Sequence, residues 1–116
     1  MEDIEGAISD LTRAIELDPH EFSTAYELAM IHFDAKRYEE AAEVYTRGLD
    51  HCPDEATLWL NRACVFALCG KRSQALDDLR QAIALHPPYK TDASEDDDFV
   101  SLFDDPEFIA ITQSVC

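Results

Sequence analysis

Apolar residues recur along this chain every three or four positions, and the whole pattern repeats after a fixed interval. Residues 56–87 contain two such apolar stripes, separated by a short break. Residues 22–53 carry the same arrangement one period earlier, and residues 4–19 carry its second half. A spacing of three and four residues is that of one face of an α-helix. A period of 34 residues, the interval between Pro53 and Pro87, is typical of stacked helical repeats.

The stripes predict five helices before Pro87, at residues 3–17, 22–33, 38–49, 57–68 and 73–85. Each in-phase proline ends a helix, because proline lacks an amide hydrogen and disfavours a helical conformation in the residue before it. Gly70 follows the fourth helix, at the place where a left-handed residue commonly closes a helix. The predicted order is therefore one unpaired helix followed by two helix hairpins.

The segment after Pro87 is acidic but retains apolar residues at helical spacing. Residues 94–97 (Ser-Glu-Asp-Asp) resemble a capping box, which predicts a helix with Ser94 at its N-cap. Residues 105–107 (Asp-Pro-Glu) give a second helix start, with an N-cap aspartate, a proline and an acid near the positive end of the helix dipole. We therefore expect two short helices within residues 94–116, since a disordered tail would not carry these apolar residues.

Charge and cysteine content narrow the range of partners. The 116 residues include 25 acidic and 9 basic side chains, for a formal net charge of −16. Such a field repels phosphate and anionic lipid, which argues against binding nucleic acid or a membrane surface. The charge favours solubility as its plain interpretation, with attraction of a basic protein partner as the alternative. No apolar run approaches the ~20 residues of a membrane span, and no export signal follows Met1. The cysteines lack CxxC spacing, which favours reduced thiols in a cytoplasmic protein: Cys52, Cys64, Cys69 and Cys116.

The residue types needed for catalysis are present without the required arrangement. Paired carboxylates such as Glu39-Glu40 and Asp77-Asp78 occur throughout the chain and specify no acid–base pair. No serine or cysteine has a setting that indicates an activated nucleophile, and there is no glycine-rich phosphate loop. Most histidines fall in inter-helix turns about 10 Å apart, which is too far to share one ion. We therefore expect no enzymatic activity, no cofactor and no metal site.

Matching positions of the two full units resemble the tetratricopeptide repeat, a helix hairpin with Trp, Ala, aromatic and Pro residues at fixed positions. In the second unit the matching residues are Trp59, Ala63, Phe66, Ala75, Leu79, Ala82 and Pro87. In the first unit they are Leu28, Ala29, His32, Tyr38, Ala41, Tyr45, Gly48 and Pro53. Arg62 and Arg72 depart from the pattern, and we expect their stems to lie on apolar neighbours while their charged ends stay in water.

The resemblance implies an all-α fold, a short right-handed α-solenoid in one domain. Its parts would be a partial repeat at residues 1–19, full repeats at 22–55 and 56–89, and an acidic two-helix cap at 94–116. Small residues would lie where helices approach to roughly 8–10 Å: Ala29, Ala41, Gly48, Ala63, Ala75 and Ala82. The sequence leaves open whether the last segment caps the array or occupies its groove.

Arrays that this chain resembles are non-catalytic scaffolds or adaptors, which bind a peptide or helix of a partner protein on their concave face. The first helix of each repeat lines that face, so the resemblance implies these peptide-binding residues: Tyr26, Met30, Phe33, Leu60, Asn61, Cys64 and Leu68. One subset of the family binds C-terminal carboxylates through lysine, arginine and asparagine side chains. Here only Asn61 matches, and a carboxylate held without cations would be poorly stabilised, so we do not assign the chain to that subset.

Two other arrangements remain open for the apolar surfaces. The concave face could be covered by the chain's own C-terminal segment or by an oligomer partner instead of a peptide. The unpaired first helix would leave Ala7, Leu11 and Ala14 partly uncovered. An uncovered apolar edge predicts an alternative function, oligomerisation or assembly by stacking on a second copy or on a neighbouring domain.

Overall fold

Eight helical elements make up the described part of the chain, residues 4–18 and 21–113 of this computed structural model. In chain order they are α1 (Ile4–Leu17), α2 (Phe22–Asp34), α3 (Tyr38–His51), α4 (Ala56–Leu68), α5 (Arg72–Leu85), α6 (Tyr89–Glu95), a 3₁₀ helix (Asp97–Leu102) and α7 (Pro106–Gln113). These residues contain no strand, so the prediction of an all-α helical-repeat solenoid is confirmed. Within the same ranges, no helix has both the length and the apolar character needed to cross a membrane. Pro19, Cys116 and the end of the predicted cap lie outside the described residues.

The turn inside each repeat uses a residue in the left-handed conformation. Gly70 has a φ of 77°, as the sequence predicted, and the N–H of the following residue donates to the carbonyl of Phe66 at 2.8 Å. Lys36, one period earlier, has a φ of 62°, and the next N–H donates to the carbonyl of His32 at 2.8 Å. Both turns therefore have the same hydrogen-bonded form, but only Gly70 is of the residue type that adopts it without strain.

The helices approach each other through small residues, as predicted. Five of the predicted contact residues have no exposed surface: Ala29, Ala41, Ala63, Ala75 and Ala82. At Gly48, an added Cβ atom would lie 3.2 Å from both Ala25 Cβ and Leu58 Cδ1. Because Ala25 belongs to α2 and Leu58 to α4, Gly48 lets α3 pass close to both helices. The larger side chains of Tyr45 and Leu79 are also buried and fill the space between helices.

Arg62 differs from the sequence expectation, because its charged end is not in water. Its guanidinium donates two hydrogen bonds to the Asp78 carboxylate, at 2.7 and 2.8 Å, and lies 5.1 Å from the centre of the Trp59 ring. The side chains of Arg62 and Asp78 are only 16% and 6% exposed. Burial raises the pKa of Asp78, and the Arg62 guanidinium opposes that shift. A buried carboxylate requires such a partner, so the ion pair joins α4 to α5.

The C-terminal segment contains one element more than the two helices that the sequence predicts. The predicted N-cap at Ser94 is wrong, because Ser94 lies inside α6 and its hydroxyl donates to the Thr91 carbonyl at 2.8 Å. Asp96 is the N-cap of the 3₁₀ helix instead, and its carboxylate accepts the N–H of Asp98 at 2.9 Å. Residues 96–102, the 3₁₀ helix with this N-cap, are called the strap below.

Contacts with the repeats explain why α6 precedes the strap. Ala93 is fully buried, and the Tyr89 hydroxyl lies 3.0 Å from the Thr57 hydroxyl of α4. These contacts hold a helix at residues 89–95, which places Ser94 in its last turn. In a run with so many acidic residues, several positions satisfy a local capping pattern, so the pattern cannot select one of them.

The last helix, α7, begins at Pro106 as predicted and is joined to α5 by ion pairs. The N–H of Glu107 donates to the Asp105 carboxylate at 2.9 Å, which completes the cap. Arg72 remains exposed, as expected, and it binds both Asp105 and Glu107. Arg80 donates to Glu107 at 2.7 Å. The Arg72 guanidinium lowers the pKa of Asp105 to about 2, and Arg72 with Arg80 holds the pKa of Glu107 below its usual value.

Replacing Gly70 by alanine should destabilise the fold by about 1 kcal/mol, because alanine adopts the left-handed conformation less readily than glycine. Lys36→Gly should stabilise it by a smaller amount, since it relieves that strain while making the unfolded chain more flexible. Urea denaturation followed by circular dichroism measures both changes. Lys36→Ala is the matched control, because it removes the same side chain but keeps Cβ. If Lys36→Ala stabilised the fold as much as Lys36→Gly, relief of left-handed strain would not be the cause of the gain in stability.

Candidate functional site

The predicted site residues are distributed along α2 and α4, the first helices of two successive repeats. Five of the seven line one cavity of about 110 Å³: Tyr26, Met30, Phe33, Asn61 and Cys64. The other two lie outside its lining, since Leu60 packs against the core cluster beneath the strap and Leu68 is exposed at the end of α4. The fold therefore brings side chains from both repeats together around one cavity.

Tyr45 of α3 also lines the cavity, although the sequence indicated only a framework role for it. It is 1% exposed, and its hydroxyl donates to the Met30 sulfur at 3.8 Å, a long and weak hydrogen bond. Burial raises the pKa of Tyr45, so the hydroxyl stays protonated. Its repeat position predicts packing of the ring, but no sequence signal shows that the polar end reaches the concave side.

The strap supplies the remaining residues of the cavity lining, Asp96 and Asp98. Beside them, Phe99 and Leu102 are buried in the same core cluster as Ala63, Cys64 and Ala67 of α4. The sequence left open whether the last segment caps the array or occupies its groove. The strap covers part of α4 and also contributes two side chains to the cavity lining.

Cys64 is enclosed beneath the strap. It is 5% exposed, and its sulfur lies 4.0 Å from a carboxylate oxygen of Asp96. Burial, followed by the negative charges of Asp96 and Asp98, raises the pKa of the Cys64 thiol. A protonated, buried thiol is a poor nucleophile, so the position of Cys64 indicates packing and not covalent chemistry.

Cys64, Asp96 and Asp98 form, in the described part of the chain, one group of side chains close enough together to hold a metal ion. Their ligand atoms lie within 4.8 Å of one another. Sequence reasoning missed this group because Cys64 and Asp96 are 32 residues apart. Three ligands, one of them a protonated thiol, are fewer than the four of a closed zinc site.

Residues 1–56 match the family model of the tetratricopeptide repeat. The chain is 38% identical over 76 residues to RNA polymerase II-associated protein 3 of Xenopus laevis, covering 66% of this chain and 12% of that protein. It is 34% identical over 65 residues to DnaJ homolog subfamily C member 7 of Homo sapiens, covering 56% of this chain and 13% of that protein. It is 40% identical over 52 residues to Tetratricopeptide repeat protein 36 of Caenorhabditis elegans, covering 45% of this chain and 29% of that protein. The matches thus span a minor part of each relative.

The strap should protect Cys64 from thiol reagents, so Cys64 should react more slowly than Cys69, which is only partly buried. Phe99→Ala should raise the Cys64 rate at least tenfold, because removing a buried ring costs roughly 3–5 kcal/mol in a core and loosens the strap. Timed alkylation followed by peptide mass mapping measures each cysteine separately. Val100→Ala, in the same strap but 62% exposed, is the matched control. Equal rates for Cys64 and Cys69 in the unsubstituted chain would contradict this packing.

Proposed function

This chain is a tetratricopeptide repeat protein, and on that premise we propose that its concave cavity binds a peptide or helix of a partner protein. Its family is a class of protein–protein interaction repeat domains that are generally non-catalytic, and the proposal is binding without catalysis. The observation that carries it is the meeting of side chains from both repeats around one cavity.

The chemistry of the lining supports recognition of a peptide. Tyr26, Met30 and Phe33 are each partly exposed, so aromatic and apolar surface is available to an incoming side chain. Aromatic residues and methionine are enriched in protein interfaces, and methionine adapts its shape to different partners. Asn61 is also partly exposed and can both donate and accept a hydrogen bond, as an extended peptide backbone requires.

Tyr26→Ala combined with Asn61→Ala should weaken partner binding roughly tenfold or more, because an aromatic contact and an amide are lost from the centre of the site. Proteins captured from a lysate by the unsubstituted full chain are purified and titrated calorimetrically against each variant. Gln74→Ala combined with Leu85→Ala, at exposed positions of α5, is the matched control. The proposal fails if both double variants, with equal helicity, bind the purified partner as tightly as the unsubstituted chain.

Association through α1 is a second candidate function. Leu17 is 80% exposed, and Ala7, Leu11 and Ala14 of the same helix are only partly buried. Exposed apolar surface of this kind favours an interaction with another protein surface. We propose that a second copy of the chain, stacking on this edge, would cover these residues.

Leu17→Lys combined with Ala14→Lys should prevent self-association, because it places charged groups in a contact that would otherwise be apolar. Sedimentation velocity over a wide range of concentrations measures the monomer–dimer equilibrium. Leu85→Lys, at an exposed leucine of α5, is the control and should leave the equilibrium unchanged. An unsubstituted chain that stays monomeric at every concentration would exclude this second function.

A further inference from the structure

Two carboxylates line the cavity, and the described residues provide neither of them with an ion-pair partner. One oxygen of Asp96 accepts the N–H of Asp98 at 2.9 Å, and the other lies 4.0 Å from the Cys64 sulfur. Among residues 4–18 and 21–113, no lysine or arginine forms an ion pair with Asp96 or Asp98. Burial and the neighbouring charges of Asp96 and Asp97 raise the pKa of Asp98. Within the described ranges, no ion pair therefore balances the negative charge at this point of the cavity.

The carboxylates at other helix contacts are matched by the chain's own arginines. Arg62 binds the buried Asp78 between α4 and α5. Arg72 and Arg80 bind the acidic residues that join α7 to α5. Asp96 has a structural role as an N-cap through one oxygen, and its second oxygen accepts the long contact from the Cys64 thiol. A carboxylate oxygen has more than one lone pair, so both oxygens can still accept a hydrogen bond from a ligand. The strap carboxylates differ, because no arginine or lysine of the described residues forms an ion pair with them.

The other groups around the cavity suit the side chain of a lysine or arginine. The rings of Tyr26 and Phe33 offer apolar surface for its stem, and a ring face attracts a cation within about 6 Å. The Tyr45 hydroxyl donates its proton to Met30, so its oxygen can accept a hydrogen bond, as can the amide oxygen of Asn61. A water needs roughly 10–15 Å³ of cavity volume, so about 110 Å³ accommodates the end of a side chain.

We infer that this cavity binds the charged end of a lysine or arginine side chain presented by the partner peptide, with Asp96 and Asp98 as its counter-charges. The inference rests on the proposed function, because it names the chemistry that the concave site recognises. It also gives the strap a second role, as part of the binding surface in addition to covering α4. The cavity lining is negatively charged, as is the whole chain with its net charge of −16, which attracts basic segments at longer range.

A divalent ion is the competing occupant of a pair of carboxylates. The third nearby ligand atom is the Cys64 sulfur, and a metal ion would have to displace the proton of that thiol. Oxygen-preferring ions such as Ca²⁺ take six to eight oxygen ligands, whereas much of this lining is aromatic or sulfur-containing. The lining therefore favours an organic cation over a metal ion, and the experiment separates the two.

The test titrates the isotope-labelled full chain by NMR with the peptide acetyl-Ala-Leu-Lys-Leu-Ala-amide and with its arginine and norleucine counterparts. The lysine and arginine peptides should shift the backbone amide signals of Asn61 and Asp98. They should bind roughly tenfold more tightly than the norleucine peptide, which has the same stem without the charge, because hydrogen bonds to a charged group are lost. Added salt should reduce the difference.

Substitutions of the strap carboxylates supply the matched comparison. Asp98→Asn should remove most of the preference for lysine without affecting the fold, since no hydrogen bond of the Asp98 side chain supports the strap within the described residues. The double variant Asp96→Asn, Asp98→Asn should remove all of it, and asparagine keeps the N-cap acceptor. The control Asp92→Asn, Asp104→Asn has the same loss of charge at exposed positions and should keep the preference.

Three results would overturn the inference. They are equal affinity for the lysine and norleucine peptides, an unchanged preference in the double strap variant, and binding of calcium or zinc chloride alone that displaces the lysine peptide. If the lysine and norleucine peptides bound equally well but still shifted the amide signal of Asn61, the proposed function would stand without this inference. Peptide-induced shifts confined to residues away from the cavity would count against both proposals.

Discussion

The structure depends on the close approach of neighbouring helices at residues with little or no side chain. Gly48 of α3 has Ala25 of α2 and Leu58 of α4 so near that an added Cβ would lie 3.2 Å from each. A longer side chain would push the helices apart, at a cost of roughly 1–3 kcal/mol for each overpacked position. These contacts therefore determine how α2, α3 and α4 cross. The cavity follows from that crossing, because its lining comes from all three helices and from the strap.

The strap meets a second requirement, since the end of a helical array leaves an apolar face that must be covered. Phe99 and Leu102 provide the cover on α4, while ion pairs between arginine and carboxylate join α7 to α5. A chain with a net charge of −16 has few cations, and several of its arginines are used at these internal contacts. The carboxylates of Asp96 and Asp98 consequently reach the cavity without a cation from the described residues. Covering the core and making the groove acidic are thus two effects of the same short segment.

Much of the helical framework could be predicted from periodicity, because each repeat carries an apolar stripe and a residue that ends its helices. The bounds of α1 to α5 agree with the sequence prediction to within two residues. The failures lie where a residue's partner is distant. Arg62 was expected in water because its partner Asp78 lies on the next helix, and Ser94 was expected to start a helix because the contact of Tyr89 with Thr57 leaves no local signal.

The sequence could predict that these side chains lie near one another, because side chains on the same face of the first helix of each repeat point the same way once the repeats stack. Tyr26, Met30, Phe33, Asn61 and Cys64 accordingly line one cavity. Only the folded chain shows that the strap covers Cys64, that Leu60 packs against the same core cluster, and that two aspartates complete the lining. The physical reason is separation along the chain. The strap packs on α4 by burying its own apolar side chains, although Asp96 and Cys64 are 32 residues apart in the sequence. Contacts between such distant segments follow no sequence period, so they could not be predicted.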